Sequence, residues 1–153
     1  VRLFLDEVDR ERSERALHFL LHALCCINYE VLRHRKVPPL YRSGVRYETA
    51  RAGKREWQDV LDTYARGLGD CKDLACWRAA EWWVGPPYVP FRARARPYIR
   101  FKRRAVRVGG VDRTISLYHV LVQLPDGSLE DPSRRLGMGR GAWKPMIARL
   151  RAA

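Results

Sequence analysis

Gly69-Asp70-Cys71-Lys72-Asp73-Leu74-Ala75 is the stretch from which the rest of this chain is read. Gly67 and Gly69 stop whatever precedes it, and Asp70 is a good N-cap, so the spacing predicts a helix with Cys71 at its first position. That helix runs to about Val84, where Gly85-Pro86-Pro87 forbids continuation. A cysteine at a helix N-terminus meets unpaired N–H groups and partial positive charge, both of which favour a thiolate. Asp70 works against this, because a neighbouring carboxylate disfavours a second anion.

Upstream, residues from about Val8 to His34 read as one long helix. Leu17, Leu20, Leu21, Leu24, Asn28 and Val31 share one side, and Phe19, Ala23 and Ile27 widen the apolar face towards full burial. Pro38-Pro39 ends it, a short strand is expected at Val45 to Tyr47, and Ala50 to Arg55 is polar. A second helix is expected from Glu56 to Arg66, burying Trp57, Val60, Leu61 and Tyr64. Downstream the period changes to alternation. Strands are expected at Tyr98 to Val108, after which Gly109-Gly110 turns the chain, at Arg113 to Leu124, and at Leu129 to Asp131, where Pro132 ends the strand. A last short helix is expected from Met146 to Leu150, after Trp143. Helices followed by an antiparallel meander make the fold class α+β.

At 153 residues the chain is read as a single domain. Residues 1–55 form an N-terminal helix and loop, 56–132 a core and 133–153 a tail. Four cysteines, none in C-x-x-C spacing, suit free thiols in a reducing compartment. The longest apolar run, Ala16 to Ile27, is too short and too polar for a membrane span, and no signal peptide is expected. A net charge of +13 implies an acidic partner or reflects arginine-rich coding. Much of that charge lies on Arg92, Arg94, Arg96, Arg100, Lys102, Arg103 and Arg104, interleaved with Phe91, Tyr98 and Phe101. Such a strand suits phosphates and stacked bases, or a solvated face, or an acidic neighbour. His18, His22 and Cys25 fall on one helical stripe at ligand spacing, but packing at the boundary of the apolar face is the better reading, so no metal is expected.

The thiol has partners in prospect. His119 sits within the alternating strand beside Leu117 and Leu121, and Asp131 follows one tight turn later, at Pro125-Asp126-Gly127-Ser128. Symmetric pairing about Asp126-Gly127 sets Asp131 opposite Val122, ~10 Å from His119 along the strand, which needs a twist, a bulge or a shifted register to close. A core histidine and a turn aspartate are the plainer readings of each residue alone.

Trp57, then Gly69 to Ala75, then His119, then Asp131-Pro132 together resemble the transglutaminase-like branch of the papain-like cysteine proteases. The resemblance covers roughly Glu56 to Pro132. It implies a cysteine at a helix N-terminus packed on an antiparallel sheet, with Cys71 as nucleophile, His119 as general base and acid, and Asp131 as orienter. A short hairpin, a small domain and Leu121 in place of a frequent aromatic residue depart from the best-known members. Small basic versions look like proteins encoded among bacteriophage structural genes, and Tyr118-His119 and Asp131 to Met138 have that character.

The implied chemistry is ping-pong acyl transfer on a protein or peptide amide through a thioester, with water or an amine as acceptor and no cofactor. The Cys71 N–H is one oxyanion donor, and Trp57, Gln58 and Tyr64 are candidates for the second. Two other readings stand beside it. One is a catalytically idle virion or assembly component that docks on acidic proteins. The other is a basic nucleic-acid-binding accessory protein.

Overall fold

The computed structural model describes residues 10–49, 56–108 and 111–139. In chain order the elements are α1 (Arg10–His34), a 3-10 turn (Leu40–Arg42), β1 (Arg46–Tyr47), α2 (Val60–Arg66), β2 (Leu68–Gly69), α3 (Cys71–Val84), β3 (Arg96–Val108), β4 (Val111–Gln123), β5 (Leu129–Glu130) and α4 (Pro132–Arg135). The fold is α+β, with an antiparallel sheet in the order β3-β4-β5 and a short parallel pair, β1-β2.

The central element is α3, and its start is doubly locked. The Asp70 carboxylate accepts the Lys72 and Asp73 N–H groups, and the Asp73 carboxylate accepts the N–H of Asp70. Every residue from Cys71 to Glu81 is buried, as a helix must be when it is covered on more than one side. Leu17, Leu21 and Leu24 of α1 meet Ala75, Cys76 and Ala79 in one cluster, which Ile99, Val120 and Val122 of the sheet complete. A second cluster gathers Leu32, Leu40, Val45, Val60, Leu74 and Trp77.

The structure corrects the expected face of α1. Phe19 is 76% exposed and Ile27 50% exposed, because α3 and the sheet cover only the stripe through Leu17, Leu21, Cys25 and Asn28. It also shortens α2. Asp59 accepts the N–H groups of Leu61 and Asp62, and Asn28 of α1 accepts that of Val60 at 2.9 Å. The helix therefore starts at Val60, and Trp57 and Gln58 lie in the extended segment before it.

β3 and β4 pair without interruption from Arg96↔Gln123 to Val108↔Val111. Both begin earlier than the alternation suggested, since each extends the other's ladder. The following hairpin is tighter than symmetric pairing about Asp126-Gly127. Gly127 N–H bonds Leu124 O at 2.9 Å, and Leu124 N–H bonds Ser128 O at 2.9 Å. With Gly127 at φ 83°, this is a type I turn closed by a left-handed glycine. It sets Val122 opposite Glu130 instead of Asp131. Pro132 then opens α4 with Asp131 as its N-cap. The expected features at 50–55, at Gly109-Gly110 and at Trp143 and Met146 to Leu150 lie outside the described residues.

Candidate active site

The one-residue difference in register decides the geometry. With Val122 opposite Glu130, continuing the ladder by one step puts Asp131 alongside Leu121, which shares a strand face with His119. A diagonal neighbour on one face lies within reach of two medium side chains. His119 Nε2 meets Asp131 Oδ2 at 3.0 Å, so the bond that symmetric pairing left ~10 Å short is made.

Asp131 is anchored from both ends. Its Oδ1 accepts the Arg134 N–H at 3.1 Å as the cap of α4. Partial burial pushes its pKa up. The hydrogen bonds from His119 and the Arg134 amide, with the charges of both side chains, outweigh that and hold the carboxyl below its usual value. An ionised Asp131 accepts a proton-bearing Nε2, which makes Nδ1 the basic nitrogen of the neutral ring.

Cys71 occupies the first position of α3, as the sequence predicts, and is 9% exposed. Val120, next to His119, packs in the same buried cluster, and its main chain favours the thiolate. Strand and helix thus bring Cys71 to the residue that follows the histidine. The contest between helix dipole and environment goes against a resting thiolate. Burial first, then the charge of Asp70, push the thiol up to about 12, against the opposing pull of the Val120 main chain and Lys72.

Lys72 is the cation of this corner. Its side chain is 2% exposed, with Nζ 2.6 Å from Asp70 Oδ2 and 3.1 Å from Asp73 Oδ1, and it lies over the Trp57 ring at 5.6 Å. Burial, then repulsion from Asp70, raise the Asp73 pKa in spite of Lys72. A buried lysine in the first turn opposes the helix dipole, and two carboxylates offset that cost.

Of the expected oxyanion donors, two lie near the thiol and one does not. Trp57 packs on the cluster that contains Cys71. Gln58 is buried, its main-chain N–H on Asp73 Oδ1 at 3.2 Å, against the first turn of α3. Tyr64 meets Trp77 edge-on at 6.5 Å. Trp77 belongs to the other cluster, and Tyr64 is exposed rather than buried as expected.

A residue that sequence reasoning passed over also lies beside the thiol. Tyr47 packs on the thiol's cluster, and β1 pairs it with Gly69, two residues before Cys71. Burial, then the Cys71 sulfur, raise its phenol to about 12, with Asp70 and Asp131 adding to this and a Thr49 hydrogen bond opposing it. A phenol within electrostatic reach of all three is a protonated donor at neutral pH. The only signal in the chain was an aromatic residue in a two-residue strand, since the parallel pairing that brings it there is non-local.

Behind Asp131 lies a buried charge network. Glu130 Oε1 accepts Arg78 Nε at 3.0 Å and the Tyr41 hydroxyl, and Glu130 Oε2 accepts Trp82 Nε1 at 3.3 Å. Arg78 also bonds Glu81 Oε2 at 2.7 Å, and Glu81 accepts the Leu40 N–H at 2.6 Å. This ties β5, and with it Asp131, to the middle of α3. Among the described residues no cluster of His, Cys, Asp or Glu could hold a metal, and no helix is long and apolar enough to cross a membrane. Arg92, Arg94, Arg96 and Arg100 are exposed; Lys102, Arg103 and Arg104 follow on β3.

Comparisons with protein-family models, with curated proteins and with solved structures find no match for this chain.

Proposed function

We propose that the chain is a thiol-dependent amide or peptide hydrolase, or an acyl transferase, built on a transglutaminase-like core. The observation that carries this reading is the His119–Asp131 bond of 3.0 Å, with Val120, the residue after His119, in the same buried cluster as Cys71. Nucleophile, base and orienter follow in that chain order on a helix N-terminus and an antiparallel hairpin.

The residues assign the steps. Cys71 rests as a neutral thiol. As it attacks a substrate carbonyl, its proton passes to His119 Nδ1, and Asp131 stabilises the imidazolium that forms. The tetrahedral oxyanion takes hydrogen bonds from the Cys71 main-chain N–H and the Tyr47 hydroxyl. His119 then protonates the leaving amine, a Cys71 thioester remains, and water or a second amine resolves it. A thiol that ionises only during attack limits side reactions while the site is empty.

The burial of Cys71 and its raised pKa favour a second reading, an idle site in a virion or assembly component that keeps the architecture for its packing. One experiment separates the two. The protein is incubated with a pool of glutamine-containing peptides, with and without a primary amine, and followed by mass spectrometry. Release of ammonia or of peptide amine, together with an acyl adduct on Cys71, supports the enzyme. Both must vanish in Cys71→Ala with the fold retained by circular dichroism. Turnover that survives Cys71→Ala overturns the assignment, and no turnover in any arm supports the idle component.

A further inference from the structure

At the opposite end of α3 from the thiol, ~18 Å away at 1.5 Å per residue, two cavities of about 420 and 610 Å³ share His22, Trp83 and Arg94 and so form one groove. Arg92 lines the first and Arg96 the second, and none of the described residues lining either is acidic. The three arginines are exposed and alternate with the half-buried Ala93 and the buried Ala95, and all three line the groove. The other wall is aromatic. The Trp83 indole is fixed by a hydrogen bond from Nε1 to Ala95 O. The His22 ring lies 5.6 Å from it, tilted at 51°, and Tyr29 braces it edge-on at 6.2 Å.

Arginines at every second residue beside a held aromatic surface match a chain whose charges repeat and whose flat rings lie between them. A net charge of +13 supplies the long-range attraction for a polyanion. A double helix buries its ring faces in the stack, whereas an unpaired strand offers them. We propose that this groove binds single-stranded nucleic acid, with bases stacked on Trp83 and His22 and phosphates on Arg92, Arg94 and Arg96. The site shares no residue with the Cys71 centre and does not depend on the activity assigned to it.

The test is fluorescence anisotropy on the full chain with a labelled oligothymidine of about 12 nucleotides, its oligouridine counterpart, an abasic strand and a duplex of equal length, and polyglutamate. The base-bearing single strands should bind more tightly than the other three. Adding an oligodeoxyuridine strand, which differs from the uridine strand in the sugar alone, shows whether the groove prefers deoxyribose or ribose. The triple variant Arg92→Ala, Arg94→Ala, Arg96→Ala should lower the slope of log affinity against log salt by about 2, at ~0.7 per phosphate. Trp83→Leu should weaken the base-bearing strands about tenfold and leave the abasic strand unchanged. His22→Ala, at an exposed position, gives the same contrast with no risk to the core. Cys71→Ala should bind like the parent chain. Equal affinity for the abasic strand, the duplex or polyglutamate would overturn the proposal, as would arginine variants that bind as tightly as the parent.

Discussion

The protonation of Cys71 is the most exposed point of the proposed chemistry, and Asp70→Asn probes it with little damage to the fold. The amide oxygen caps α3 as the carboxylate does, accepting the Lys72 and Asp73 N–H groups. What disappears is the charge that, after burial, does most to raise the thiol pKa. A like charge nearby moves a pKa by about one unit or more, and Lys72 at 2.6 Å already shields part of it, so the lower end applies. With the thiol at about 12, about one molecule in a thousand carries a thiolate at about pH 9, and about one in a hundred does so in the variant. The initial rate of Cys71 alkylation by iodoacetamide at that pH, read by peptide mass spectrometry, should therefore rise about tenfold.

Cys26 is exposed and should react first in the parent chain, so the comparison is made in a Cys26→Ser background. Lys72 keeps Asp73 at 3.1 Å, which holds the stability loss to the order of 1–3 kcal/mol. Asp70→Ala, which also loses the cap, should cost ~1 kcal/mol more. Equal alkylation of Asp70→Asn and its parent at about pH 9 would refute the electrostatic account. So would labelling of Cys71 ahead of Cys26 at neutral pH, because that requires a resting thiolate.

Three further outcomes follow from the geometry. The Asp131 pKa is depressed in the fold, so its bond to His119 contributes stability above the unfolded carboxylate value of ~3.9 and loses it as pH falls through the lower folded value. Thermal melts of Asp131→Asn, which keeps the cap of α4, should fall below the parent at neutral pH and converge with it under about pH 4. Glu81 is fully buried between Arg78 and the Leu40 N–H, so Glu81→Ala leaves that N–H without its acceptor and Arg78 with Glu130 alone, and should cost about 1–3 kcal/mol in chemical denaturation. Glu81→Gln still accepts the Leu40 N–H and should cost less. Tyr47→Phe should lower kcat about a hundredfold with KM little changed, as expected for a donor that acts on the oxyanion alone; an unchanged kcat removes Tyr47 from the site.

The local features of this fold were legible in the chain because each rests on neighbouring residues. Asp70 before Cys71 announced the start of α3, Gly85 its end, and the alternation through Leu117, His119 and Leu121 announced β4. What was misjudged depended on contacts between distant segments. Asn28 sets where α2 begins by taking the Val60 N–H, and that leaves Trp57 and Gln58 ahead of the helix. The parallel β1–β2 pair carries Tyr47 to the thiol, and no pattern within its two residues could signal this.

By itself the sequence determined the class of fold, the order of Cys71, His119 and Asp131, and the helix terminus on which the sulfur sits. Caps, breakers and periodicity act over a few residues and leave their marks in the string. Tertiary structure alone decided that His119 and Asp131 touch, through one residue of register, and that the Cys71 thiol pKa is raised, through burial and the charge of Asp70. Register and dielectric environment are properties of packed surfaces, which exist only once the segments have met.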